Sequence, residues 1–298
     1  MMEKRESKSK WGPDDEIGAL KEISTEVILS AKGLVKSGRI IELSHVLENG
    51  IPSDWFHGEF QYSTFRRHED SAKVFPSTNK FRAMNMRLEM ADHMGTHLDS
   101  LNHVSEDGQM YNHQIASELT DNFGTSKLGV EKLPPIFTRG IFIDVTNTSK
   151  VSRELQRDDN PITSDDIKRE LEAKGLDIKR GDAVLVATGW ERYWMVDNKK
   201  YLGPPCPGIG MDAARFLAEK GVSLVGTDTA GIEIDPSEKS GEMGTVHQFL
   251  LVKKGIILVE NLKLEQLRKE HITEFLFVCL PLKIKGGTGS PVSPIAVI

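Results

Sequence analysis

Between residues 84 and 90 the chain alternates. Met84, Met86, Leu88 and Met90 are apolar, and Asn85, Arg87 and Glu89 between them are polar. A period of two marks a strand with one buried face. Carried onward, the odd-numbered face takes in His93, His97 and Asp99, so one strand is predicted across 84–99. Apolar runs predict further strands at 40–45, 140–145, 181–189 (opening with a turn), 222–226, 256–260 and 275–282. Helical spacing with caps predicts a helix within 15–37, starting near Ser24-Thr25-Glu26 and stopping by Gly38. Others are predicted at 115–119, at 163–175 behind Thr163-Ser164-Asp165-Asp166, at 211–220 before Gly221, and more weakly at 246–252 and 262–267. Short strands mixed with helices indicate an α/β fold. Residues 50–82 show no clean period and read as one long irregular segment. Its apolar content is Trp55, Phe56, His57, Phe60, Tyr62 and Phe65. Such a segment is either a lid or pocket wall, or the cover of a subunit interface.

Composition narrows the class. With 298 residues, 38% hydrophobic and 28% charged, the chain can bury a sizeable core. A net charge of −6 argues against a nucleic-acid partner. It leaves an anionic substrate open, because a bound metal brings its own positive charge. Two cysteines, Cys206 and Cys279, make no disulfide framework. The first ten residues are polar and charged and read as a solvated tail rather than a signal peptide. No apolar stretch is long enough to span a bilayer, so no membrane partner and a cytoplasmic location are expected. No phosphate-binding glycine loop is present.

The chemistry concentrates in Asp92-His93-Met94-Gly95-Thr96-His97-Leu98-Asp99-Ser100-Leu101-Asn102-His103. Three of the chain's nine histidines fall here, with two carboxylates. On a strand, His93, His97 and Asp99 converge on one point, and Gly95 between them leaves room for a metal or substrate. Imidazole with carboxylate suits zinc, manganese or iron(II). Asp228 and Thr229 end a strand, where substrate-contacting groups often sit, and are candidate pocket residues.

The spacing His93-x-Gly95-Thr96-His97-x-Asp99-x-x-x-His103 resembles the HxGTHxDxPxH signature of the cyclase-like metal hydrolase family, which includes bacterial kynurenine formamidase and isatin hydrolase. Leu101 stands where many members have proline. Further landmarks follow in family order: Trp11 to Leu20, Ile41-Glu42-Leu43-Ser44-His45, Pro207-Gly208-Ile209-Gly210, Gly226-Thr227-Asp228-Thr229, Glu260-Asn261-Leu262 and Gly289-Ser290-Pro291-Val292. The first resembles the opening of the family's longer, isatin-hydrolase-like branch. The resemblance implies a swivelling β/β/α fold with a mixed, barrel-like sheet over 39–298, behind an N-terminal tail and helical extension at 1–38. It implies a homodimer or homotetramer.

The resemblance also assigns roles. His93, His97 and Asp99 would hold a divalent metal, manganese or zinc. Asp99 would bridge to a second metal where His247 and Glu260 complete its ligands, giving one or two ions per subunit. His103 would be the general base and acid, or else another ligand. Trp55, Phe56 and His57, with Asp228 and Thr229, would wall the pocket of a small-molecule substrate. The implied activity is hydrolysis of a small cyclic amide, lactam or lactone. Arylformamide hydrolysis, a metal-dependent cyclase or lyase, and a non-catalytic metal or small-molecule binding protein are its rivals.

Overall fold

The computed structural model describes residues 9–54, 56–146 and 161–298. Among the described residues thirteen strands follow in chain order: β1 (Ile40–Glu42), β2 (Gln61–Arg66), β3 (Asn85–Glu89), β4 (His97–Asp99), β5 (Thr120–Asp121), β6 (Gly124–Thr125), β7 (Ile136–Asp144), β8 (Ala183–Ala187), β9 (Leu224–Thr227), β10 (Ile257–Glu260), β11 (Glu274–Cys279), β12 (Gly289–Pro291) and β13 (Ile295–Val297). Nine of them form one mixed sheet in the order β1-β13-β11-β7-β8-β9-β10-β4-β12. The middle four, β7 to β10, are mutually parallel. Their neighbours on either side run antiparallel. All five residues of β8 and all four of β9 and β10 are buried, as continuous apolar runs require of a parallel sheet covered on both faces.

The sheet curls on itself, and chain geometry shows why. β12 is one edge, and β13 lies next to the other, seven strand positions away. A flat sheet would set them roughly 34 Å apart at about 4.8 Å per strand. Only residues 292–294 join them, which reach at most roughly 14 Å between the flanking Cα atoms. The edges must therefore approach each other. Bonds across the closure hold them: Leu43 N–H donates to Pro294 O, Lys263 N–H to Leu43 O, and Val292 N–H to Thr96 O. The result is the barrel-like mixed α/β sheet that the family resemblance implies.

Capping chemistry sets the helices. The helix Ser164–Lys174 opens on a capping box, in which Thr163 and Asp166 satisfy each other's backbone N–H, and closes on Gly175 in the left-handed region. The helix Met211–Lys220 ends the same way at Gly221. No helix among the described residues is long and apolar enough to cross a membrane.

Three expectations change. The strand predicted across 84–99 is two strands, β3 and β4, because the chain turns between them with Gly95 at φ +66°. The segment 50–82 is not irregular throughout: it contains β2 and the helix His68–Val74. The predicted helix of 15–37 is a short 3-10 turn, Gly18–Glu22, followed by the helix Thr25–Lys32. Ser24 does cap the latter, through Val27 N–H. The segment 246–252 is helical, with a wide π turn over Gln248–Lys254.

Candidate metal centre

β10 and β4 pair with Glu260 opposite His97, and Leu258 opposite Asp99. This register puts His97, Asp99 and Glu260 at one end of the sheet. His93 arrives from the turn before β4, His103 from the turn after it, and His247 from the helical segment that precedes β10. Six side chains predicted from the sequence thus meet, and His93, His97, Asp99 and Glu260 are buried.

Each inner imidazole is aimed by a partner on its far nitrogen, and the tautomers follow from those partners. His97 Nδ1 donates to Gly95 O at 2.9 Å. Its Nε2 then faces Asp99 Oδ1 at 3.5 Å and Glu260 Oε2 at 3.4 Å. His247 Nδ1 is held by Glu233, leaving Nε2 at 3.1 Å from Glu260 Oε1 and 3.7 Å from Asp99 Oδ2. His93 Nε2 donates to Thr288 Oγ1 at 2.9 Å, which leaves Nδ1 at 2.9 Å from Asp99 Oδ1. Thr288 in turn donates to Asp92 Oδ2, which also accepts two backbone N–H groups.

This arrangement fits a divalent metal. Ring nitrogens of three imidazoles and oxygens of two carboxylates point at one another, an orientation that positive charge among them, a proton or a metal ion, stabilises. Two donor trios emerge, His93/Asp99/His103 and His97/Asp99/Glu260, and Asp99 belongs to both. Asp99 Oδ2 is buried with no hydrogen-bond partner among the described residues. Donors bound at about 2.1 Å in tetrahedral array lie about 3.4 Å apart, close to the spacings around His97. The electrostatics agree. Burial alone would lower His97, but Glu260 and Asp99 raise it to about 9. Burial would also lower His247, yet Glu233 and Glu260 hold it well above its ordinary value. The carboxylate cluster demands positive charge.

His103 behaves differently. Burial pushes it down to about 4, against the pull of Asp99. Its ring lies 3.9 Å from that of His93 between centroids. His57 also stacks on His93, at 5.5 Å between centroids, and its Nδ1 lies 3.2 Å from Asp54. Phe56 meets His57 edge-on and is 70% exposed. Trp55 lies outside the described residues. Asp228 and Thr229 are wholly buried. The Asp228 carboxylate accepts from Thr188 N–H, Thr188 Oγ1 and Gly189 N–H, while Thr229 Oγ1 bonds to Thr227 and Gly231. The Asp228 carboxylate is thus taken up by the loop that follows β8, and the Thr229 hydroxyl by the end of β9 and the turn after it.

Sequence reasoning missed the groups that aim the donors: Glu233, Thr288 and the close approach of Gly289. A Cβ on Gly289 would sit 2.6 Å from His93 Cε1. Gly95 was expected to leave room for metal, but a Cβ there would strike Leu47 instead, and its real role is the positive φ.

Curled sheet and donor set together define an α/β protein with a centre suited to a divalent metal. A family described as "Putative cyclase" matches residues 41–234, and the chain belongs to that family. It is similar to an isatin hydrolase of Roseibium aggregatum, 24% identical over 91% of this chain and 95% of that one. It is likewise similar to a kynurenine formamidase of Bacillus cereus, 24% identical over 87% of this chain and 97% of that one. Among solved structures, one described as a novel cyclase superposes with a TM-score of 0.86 at 25% identity, over 97% and 98% of the two chains.

Proposed function

We propose that this chain is a metal-dependent hydrolase that opens a small cyclic amide, lactam or lactone. The observation that carries the reading is Asp99, buried, with no hydrogen-bond partner on Oδ2 among the described residues, and shared by two donor trios. Full-length similarity to an isatin hydrolase and a kynurenine formamidase supports hydrolysis at a carbonyl. His93 and Asp99, with His103 where it ligates, would hold one ion, and His97, Glu260 and His247 with Asp99 a second, manganese or zinc in either position. Such an ion supplies a Lewis acid that polarises the carbonyl and acidifies water.

The remaining work belongs to the protein. His103 is pushed towards the neutral form by burial and is therefore ready to accept a proton at neutral pH. It takes that proton from the attacking water and returns it to the leaving nitrogen or oxygen. Asp99 and Glu260 fix the imidazoles of His97 and His247. His57 and Phe56 form one wall over His93, where a planar ring can pack.

The test is turnover of cyclic amides, lactones and arylformamides in oxygen-18 water, with metal analysis of the same preparation. Solvent oxygen in a ring-opened product supports the proposal. Turnover confined to arylformamides would select the formamidase reading. A product without solvent oxygen would select a cyclase or lyase. No metal-dependent turnover of any of these classes would overturn the hydrolase reading.

A further inference from the structure

Asn261 follows Glu260 at the end of β10 and is buried. Its backbone is left-handed, with φ +54°, a conformation that only glycine adopts freely. A buried residue held there against that cost marks a place where its side chain is needed. Every polar atom of Asn261 is engaged. Its N–H donates to Thr229 O at 2.9 Å, and its carbonyl accepts from Thr96 Oγ1 at 2.5 Å. Its Nδ2 donates to Gly95 O at 2.9 Å, and its Oδ1 accepts from the Tyr201 hydroxyl at 2.7 Å. These two partners fix the amide, because Gly95 O can only accept and a flipped amide would set oxygen against oxygen. Tyr201 is wholly buried, with Asp228 O also within 3.2 Å of its hydroxyl. Taking that hydroxyl out of water costs free energy that the bond to Asn261 offsets.

Two of these bonds grip the turn that leads into His97. Gly95 and Thr96 immediately precede that residue, and His97 Nδ1 donates to the same Gly95 O. One carbonyl thus receives protons from His97 Nδ1 and Asn261 Nδ2 together, with the two nitrogens 3.4 Å apart. The Gly95 peptide cannot turn away from the imidazole without breaking its buried bond to the amide. The His97 proton is therefore kept on Nδ1, and Nε2 is left to face Asp99 and Glu260. Glu260 stands opposite His97 across β10 and β4, so the residue beside one donor orients the other. We propose that Asn261 and, behind it, Tyr201 are positioning residues that keep His97 Nε2 turned towards the ion. The inference rests on the metal-dependent reading of this centre. Neither residue belongs to a donor trio, and both act through Gly95 O.

Three measurements on the full chain test it. Competition with a chelator gives affinity for zinc or manganese, melting of the metal-free protein gives stability, and nitrogen-15 NMR of the zinc-loaded protein follows the His97 Nδ1 proton. Asn261→Gly deletes the amide and leaves the left-handed backbone free of strain. Its metal affinity should fall by about 10–100-fold, the usual cost of losing a ligand's outer partner. Tyr201→Phe keeps the ring and should lower affinity in the same direction by less. In both variants the Nδ1 proton should exchange with solvent faster than in the wild type. Asp182→Ala breaks the pair with Arg139 just before β8, at the other end of the parallel strands. It should lower the melting temperature and leave both metal affinity and the Nδ1 proton unchanged. Wild-type affinity and exchange in Asn261→Gly and Tyr201→Phe would overturn the positioning role and leave the metal centre standing. An affinity that falls as far in Asp182→Ala would reduce the effect to lost stability and overturn it too. A wild type that binds neither metal would overturn the centre itself, and this inference with it. Should Asn261→Gly fail to fold, Tyr201→Phe decides alone.

Discussion

Gly289 and His93 are in contact: a methyl group on the glycine would stand 2.6 Å from the ring's Cε1 and 2.9 Å from Nε2. The edge strand β12 thus presses its backbone against a metal-ligand candidate, and only glycine permits it. Gly289→Ala should swing His93 away from Asp99 and break its bond to Thr288. The same methyl would stand 2.8 Å from Leu98 O on the paired strand β4, so the expected result is a clear loss of metal affinity together with a lowered melting temperature, read by metal titration and melting of one preparation. Wild-type affinity would show that His93 does not need this seat.

Glu233 is the outer partner of His247 and also accepts the backbone N–H groups of Val246 and His247. Glu233→Gln should lower affinity for the second ion by about 10–100-fold, the usual cost of losing a ligand's outer partner. His97→Ala or Asp99→Ala should instead abolish metal-dependent turnover, since each removes a donor. Competition with a chelator measures the difference.

His103 separates proton transfer from ligation. If it carries the proton, His103→Ala should keep its metal while turnover drops by about 10²–10⁴-fold. If it completes the trio with His93 and Asp99, the variant should lose metal, and added metal should restore part of the rate. Normal metal together with normal turnover would exclude both roles.

Arg139 lies buried on β7 and grips Asp182 with two bonds, at 3.0 and 2.6 Å, with Glu274 at 2.7 Å. Asp182→Ala removes two of the guanidinium's bonds and leaves it Glu274 and the Asp177 carbonyl, and should cost about 3 kcal/mol of stability, the low end for a broken buried pair. Urea unfolding at constant m-value checks this. Replacing both residues with apolar ones of similar volume should recover most of the loss.

His45 supplies a pH dependence. Its ring stacks on Trp194 at 4.2 Å, and burial, aided by Lys263, pushes it from 6.5 down to about 4. Unfolded, it binds a proton near pH 6.5; folded, it refuses one until about pH 4. Its contribution to stability is therefore complete above pH 6.5 and is lost as pH falls towards 4. His45→Phe keeps the stack and should flatten the slope of stability across that window, measured by denaturant titration at pH 7 and pH 5.

Much of this was legible in the sequence. The apolar runs around Ile143, Val184 and Leu258 marked three strands, because strands covered on both faces must be apolar throughout, and the structure sets them in the parallel centre. Thr163 with Asp166 gave one helix start, and Gly175 and Gly221 two helix ends, because caps are local chemistry. The convergence of His93, His97 and Asp99 holds although the strand that was to carry His93 is broken. The break at Gly95 was invisible because a positive φ leaves no mark on hydrophobic periodicity. β12 and β13 were missed because strands of three residues hold too few positions to show a period. Glu233 and Thr288 were missed because they act through geometry across long separations, and neither lies in a recognisable spacing of ligands.

The closure of the sheet by residues 292–294 bears on how the metal centre comes into being. His93 and its partner Thr288 are 195 residues apart along the chain. A ribosome that has released the cluster 93–103 has delivered most of the donors but no seat for them. Glu233, His247, Glu260 and then Thr288 and Gly289 emerge in turn, and the long-range pairing that unites them is slow to form. Occupancy of the centre is therefore a late event in the life of the molecule, and a captured ion reports that the two edges of the sheet have found each other.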